Sequence, residues 1–148
     1  MIRTLVLITL IAVLIGCGGG LERIPLSGTV TFNGKPIEDG QIRFMPKEDT
    51  KMPLTVEPIK NGEYDTSTTG GVPVGRYQVQ FFSYDTRYPE PSGPGAADRP
   101  QLLPPSCNYQ SKYEIEVESG QRGFTKDFEL TGVMVAPTGN WGGGAPPQ

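Results

Sequence analysis

SGTVTFNGKPIEDGQIRFMP, residues 27–46, is the stretch on which the fold turns. Val30 and Phe32 alternate with Thr29 and Thr31, the period of a strand with one face buried and the other in water. Asn33-Gly34 follows, and both residue types accept positive φ, so the chain is expected to reverse there. Lys35-Pro36-Ile37-Glu38-Asp39-Gly40 bridges to a second alternating run, in which Ile42 and Phe44 face in and Pro46 ends the strand.

The same reading extends along the chain. Leu54 and Val56 predict a third short strand, and Asn61-Gly62 turns it into Glu63-Tyr64-Asp65-Thr66. Between Arg76 and Phe82, Tyr77, Val79 and Phe81 share one side. Tyr113, Ile115 and Val117 alternate with Lys112, Glu114, Glu116 and Glu118, which puts one face in the core and a charged face in water. Ser119-Gly120-Gln121-Arg122-Gly123 turns, and Phe124, Phe128 and Leu130 point inward from the last strand. Lys126 breaks that alternation, which predicts a snorkelling stem or a bulge. Some seven short strands punctuated by glycine turns, with no helical pattern after residue 16, predict an all-β, antiparallel β-sandwich.

The first residues have a different character. Met1-Ile2-Arg3 is a short positive start, and the apolar run from Thr4 to Ile15 is too short to span a bilayer but fits the core of a signal peptide. Leu14-Ile15-Gly16-Cys17 resembles the lipobox of bacterial lipoproteins. That resemblance implies cleavage after residue 16 and lipid attachment at Cys17, with membrane lipid as the first partner. Two or three acyl chains hold a protein at a membrane nearly permanently. Gly18 stands where such proteins carry a retaining Asp, which points to the outer membrane and the envelope that faces the periplasm. The expected division is a signal peptide over 1–16, a lipidated, flexible tether over 17–25, a domain over 26–132 and a disordered Gly/Pro-rich tail over 133–148.

As a set, "SGTVTFNGKPIEDGQIRFMP", "NGEYDT" and "GVPVGRYQVQF" resemble the carboxypeptidase-regulatory-like domains of small bacterial lipoproteins. Those domains are similar to transthyretin and to the B-type repeats of collagen adhesins. The resemblance runs from about Leu26 to Leu130. It implies a seven-stranded Greek-key sandwich, transthyretin-like or immunoglobulin-like, with a structural or binding role and no catalysis of its own.

Composition narrows the function further. The net charge is −3 with no basic cluster, which argues against a nucleic-acid surface. The chain has no histidine, which removes Ser-His-Asp and Cys-His nucleophiles and HExxH zinc sites. No cofactor motif is present, because neither Gly18-Gly19-Gly20 nor Gly142-Gly143-Gly144 opens a helix that could cradle phosphate. No metal or catalytic residues are assigned; Asp85, Glu90 and Asp98 flank a loop without D-x-D-x-D spacing. Cys107, unpaired once the lipid takes Cys17, reads as a half-buried small hydrophobe at the start of a strand.

The loop 88–106, YPEPSGPGAADRPQLLPPS, is the most unusual segment of the domain. Connections of that length are commonly functional or disordered, and its prolines favour semi-rigid extended geometry. Phe82, Tyr84 and Tyr88 beside it form a candidate contact surface for an envelope protein or, as the alternative, a stacking platform for a glycan. Trp141 lies in the Gly/Pro-rich tail.

Overall fold

The computed structural model describes residues 20–48, 51–88, 90 and 99–135. The expected signal peptide, Cys17 and Trp141 lie outside them. Strands dominate, and the described residues contain no α-helix. In chain order the strands are β1 (Arg23–Ile24), β2 (Leu26–Phe32), β3 (Lys35–Pro36), β4 (Asp39–Pro46), β5 (Thr55–Lys60) and β6 (Glu63–Asp65). A 3-10 turn (Thr66–Thr69) leads to β7 (Val72–Pro73), β8 (Gly75–Ser83), β9 (Glu114–Val117), β10 (Phe124–Thr125) and β11 (Phe128–Leu130). β1 and β7 form a small antiparallel pair, and the rest form one curled sheet in the order β10-β2-β6-β5-β4-β8-β9, with β3 and β11 also on β2.

Both Asn-Gly pairs reverse the chain as expected. Asn33 and Gly34 have φ of 49° and 77°, and Asn61 and Gly62 have 52° and 81°. Two successive positive φ values match the right-handed twist of the flanking strands. They set the Phe32↔Lys35 and Lys60↔Glu63 pairings.

The curl closes the core. Val30, Phe32, Ile42, Phe44, Tyr77, Val79 and Phe81 are all buried, as their alternation requires. Phe81 on β8 lies 4.9 Å from Phe128 on β11 and 5.5 Å from Tyr113, so strands far apart in the sheet order meet through their rings. Each such side chain removed from water contributes about 1.5–3 kcal/mol. The core is therefore common to the whole sheet.

Four expectations are corrected. The strand expected from Leu54 and Val56 runs over Thr55–Lys60, and those two residues are exposed while Thr55, Glu57 and Ile59 are buried. The cause is register: β5 pairs Phe44↔Thr55, Ile42↔Glu57 and Gly40↔Ile59 with the inward residues of β4. The flexible tether ends before Arg23, because β1 pairs with β7 and Ile24 enters the core. Cys107 does not start a strand but lies fully buried in a turn, where its carbonyl accepts from Phe81 N at 2.8 Å. Finally, the sheet is not wholly antiparallel. β10 and β11 run parallel to β2, pairing Phe124↔Leu26 and Phe128↔Val30.

The break at Lys126 lies between those two parallel segments. A Cβ on Gly28 would sit 2.1 Å from the Lys126 carbonyl oxygen, so only glycine lets the two backbones approach this closely. Lys126 thus presents its carbonyl at an inward position, where it accepts from the buried Tyr64 hydroxyl at 2.7 Å. Its side chain stays in water, and its ammonium lies 5.9 Å from the Phe128 ring.

Candidate functional site

Two acidic residues are buried on the described strands, Asp39 on β4 and Glu57 on β5. Glu57, 1% exposed, sits on the inner face of β5 and accepts from the Thr69 hydroxyl of the 3-10 turn. The turn itself is started by Asp65, whose carboxylate accepts from Ser67 N at 2.8 Å. Thr66, also buried, accepts from Leu26 N. These polar groups knit β5, β6 and β2 together, and Glu57 and Asp65 also line an open groove of about 750 Å³ with Thr29, Lys60, Glu63 and Asp127.

The proline-rich loop returns along the end of β8. Leu102 N donates to Ser83 O at 2.9 Å, Tyr84 and Gln101 form an antiparallel bridge, and Asp85 N donates to Pro100 O. Leu103 then enters the core. This return leg adds a short edge to the sheet and fixes the loop end nearest the outer face. Residues 89 and 91–98, including Asp98, lie outside the described residues.

The three aromatic residues singled out from the sequence have unequal surroundings. Phe82 is only 4% exposed, so it offers no open ring face, and that part of the expectation is corrected. The Arg43 guanidinium lies 4.1 Å above its ring centroid, and Tyr109 packs against it edge-on at 5.4 Å. Tyr84 is half-buried, with Arg99 5.0 Å from its ring. Tyr88 is half-buried and donates its backbone N–H to Asp85 O. Among the described residues the exposed aromatic is Tyr109, at 70%, which sits in a turn without periodicity and so carries no signal in the sequence.

Phe82, Tyr84 and Tyr109, but not Tyr88, border a groove of about 790 Å³ on the outer face of β4, β5 and β8. That size falls within the range of small-ligand sites. Its walls combine Gln41, Arg43, Gln101, Arg99, Phe82 and Tyr109. Arg43 donates to Gln41 Oε1 at 3.1 Å, but its Nε is buried without an acceptor. Gln101 Oε1 accepts from Ser83 N and Leu103 N, which fixes the amide, and its Nε2 is likewise buried and unpartnered.

An ion cluster stiffens one end of the groove. Asp39 pairs with Arg99 at 2.5 Å and with Lys60 at 2.5 Å, and Lys60 also reaches Glu90 at 3.2 Å. Burial pushes the Asp39 carboxyl up, but the hydrogen bonds and charges of Lys60 and Arg99 outweigh it and hold the group below its ordinary value. Asp85 is engaged by Arg87, whose guanidinium lowers the carboxyl in the same way. Asp85 and Glu90, the loop-flanking carboxylates among the described residues, are thus each held by a cation, and no group of metal-ligating side chains occurs among the described residues. Burial pushes the Cys107 thiol up, away from nucleophilic use.

No family model matches this chain, and no curated protein matches it. Among solved structures, a 9R-lipoxygenase from Cyanothece PCC8801 is similar over 76% of this chain at 14% identity, with a TM-score of 0.34. The chain spans 17% of that protein's length, and the likeness is too slight to carry an argument. No helix of the described residues is long and apolar enough to cross a membrane.

Proposed function

We propose that this chain is a lipid-anchored, non-enzymatic protein of the cell envelope, held through Cys17, whose β-domain serves a structural or protein-interaction role. The reading takes the domain as a seven-stranded Greek-key sandwich of the carboxypeptidase-regulatory-like, transthyretin-like kind. Seven of the described strands have three residues or more, and the curled sheet with β8 and β11 meeting through Phe81 and Phe128 supports a two-layer arrangement. The observation that carries the interaction role is the outer groove. Its lining of aromatic, amide and guanidinium groups suits recognition, and the return leg of the loop braces it. The anchor rests on Leu14-Ile15-Gly16-Cys17 behind its apolar run.

Metabolic labelling with palmitate tests the anchor. The protein is expected to take up label and to fractionate with membranes, and Cys17→Ser to abolish both. An unlabelled protein whose fractionation is indifferent to that substitution refutes the anchored reading. Cross-linking in the native cells, followed by mass spectrometry, tests the interaction role: specific envelope proteins should be captured, and capture should weaken in Tyr109→Ala. A second reading, a carbohydrate-binding module of the envelope, is favoured by the exposed Tyr109 ring beside unpaired amide and guanidinium donors.

A further inference from the structure

We infer that the outer groove is a binding site for an acidic saccharide, with Arg43 taking the sugar carboxylate and Tyr109 stacking on the ring. The inference deepens the carbohydrate reading of the same groove and names the charge class of its ligand.

Three observations converge on it. The first is the state of Arg43. It is half-buried at mid-sheet, stacked on Phe82, and its one hydrogen-bond acceptor among the described residues is the neutral Gln41 amide. Arg76, Arg87 and Arg99, by contrast, each hold a carboxylate. A half-buried guanidinium without a counter-charge is open to an anion, and a planar carboxylate meets such a group with two parallel bonds.

The second is the amide of Gln101. Two backbone N–H groups hold its oxygen, so the side chain cannot flip to hide its NH₂, which is left without an acceptor. A fixed amide and a guanidinium on one groove lining suit hydroxyl and carboxylate oxygens together. The third is Tyr109, exposed yet braced edge-on against Phe82, which gives one rigid apolar face at the rim. Pyranose rings carry patches of C–H on one face, and a fixed aromatic receives them with little entropy to lose.

The groove lining carries a net charge of +1, with Arg43 the cation that no carboxylate holds. Arg43, Lys60 and Arg99 outnumber Asp39 and Glu90 on its lining, although the chain as a whole carries −3. An acidic peptide would also meet Arg43, but it would leave the Gln101 donor and the Tyr109 face with less to do.

Titration calorimetry with trigalacturonate, its methyl ester and a short glutamate peptide tests this on the full chain. Trigalacturonate is expected to bind, and the methyl ester, which keeps the rings and loses the charge, to bind at least about tenfold more weakly. Gln101→Glu is the sharpest variant. It keeps the oxygen that Ser83 N and Leu103 N require but replaces the unpartnered donor with a negative charge, so binding should be lost, with some fall in melting temperature because that atom is buried. Tyr109→Ala, on an exposed turn, should weaken both sugars. Arg43→Lys should keep attraction but lose the fork, with a several-fold loss.

Equal affinity for acid and ester overturns the charge assignment while leaving a neutral-glycan module standing. Tighter binding of the glutamate peptide overturns the saccharide assignment. No binding of any probe overturns the inference and leaves the anchored interaction role to the labelling and cross-linking results.

Discussion

Replacing Gly28 by alanine tests the closest backbone contact in the domain. The new Cβ would meet the Lys126 oxygen at 2.1 Å and its carbonyl carbon at 2.7 Å, with the Asp127 carboxylate at 3.1 Å. Because the obstacle is backbone, no rotamer relieves it, and ordinary contact requires β2 and the β10–β11 junction to part by roughly 1 Å or more. Three of the hydrogen bonds at that seam are set directly by the position of the Lys126–Asp127 backbone. They are Tyr64 OH to Lys126 O at 2.7 Å, Lys126 N to Ser27 O at 2.8 Å, and Thr29 N to Asp127 Oδ1 at 2.7 Å. At about 1 kcal/mol each their loss costs about 3 kcal/mol. Alanine returns roughly 0.4–1 kcal/mol by restricting the unfolded chain. The net expectation is a destabilisation of roughly 2–3 kcal/mol, read as a lower urea midpoint at unchanged slope by circular dichroism of the full chain. A cycle with Tyr64→Phe sharpens the test. Tyr64→Phe alone should cost about 1 kcal/mol, and in the Gly28→Ala background nearly nothing, since its acceptor has already moved. A neutral or stabilising Gly28→Ala, or strictly additive effects, would refute the account of the Lys126 break.

Three further predictions concern other polar and reactive groups. The depressed Asp39 carboxyl stabilises the fold above its unfolded value and loses that contribution as pH falls through its folded value, so acid unfolding should begin below about pH 4. Asp39→Asn should flatten that acid limb and, by stranding Arg99 (10% exposed), cost up to about 3 kcal/mol at neutral pH; an unchanged acid profile would contradict it. Thr69→Val should leave the buried Glu57 carboxylate without its hydroxyl and cost about 1–3 kcal/mol in chemical unfolding, while Thr69→Ser should be nearly silent. Cys107 should react with a thiol reagent only as fast as the native state opens, and at once in urea; full labelling within the mixing time would show the turn to be open.

What the sequence made legible was the set of strands whose faces lie entirely in the core or entirely in water. Val30, Phe32, Ile42, Phe44, Tyr77, Val79 and Phe81 obey a period of two because one continuous core faces them all. β5 escaped because Leu54, just before it, and Val56 within it have the outward parity, while its inward apolar residue is Ile59. The signal was present in the turn: a two-residue Asn61-Gly62 hairpin places Ile59 opposite the apolar Tyr64, and counting back from Ile59 puts Glu57 and Thr55 inward. Phe82 escaped for another reason. Phe81, Phe82 and Ser83 are buried in succession because the returning loop and Tyr109 cover the outer face there, and cover from a segment 18 or more residues away leaves no period to read. The groove was half-visible, since the loop and its aromatics marked the region but gave no sign of Arg43, Gln101 or Tyr109. Strand direction at the seam was invisible too, because β2 and β11 are separated by nearly the whole domain.

That parallel seam decides how the domain bears load. β2 leads away from the Leu21 end of the described chain, and β11 runs beside it in the same direction toward Val135, so a pull between those two points draws the strands past one another lengthwise. Val30↔Phe128, Thr31↔Glu129 and Phe32↔Leu130 are then strained together, and none can be unzipped ahead of the others. A body hung from a surface by one end and gripped at the other would yield by shear rather than by peeling, the geometry that resists force best.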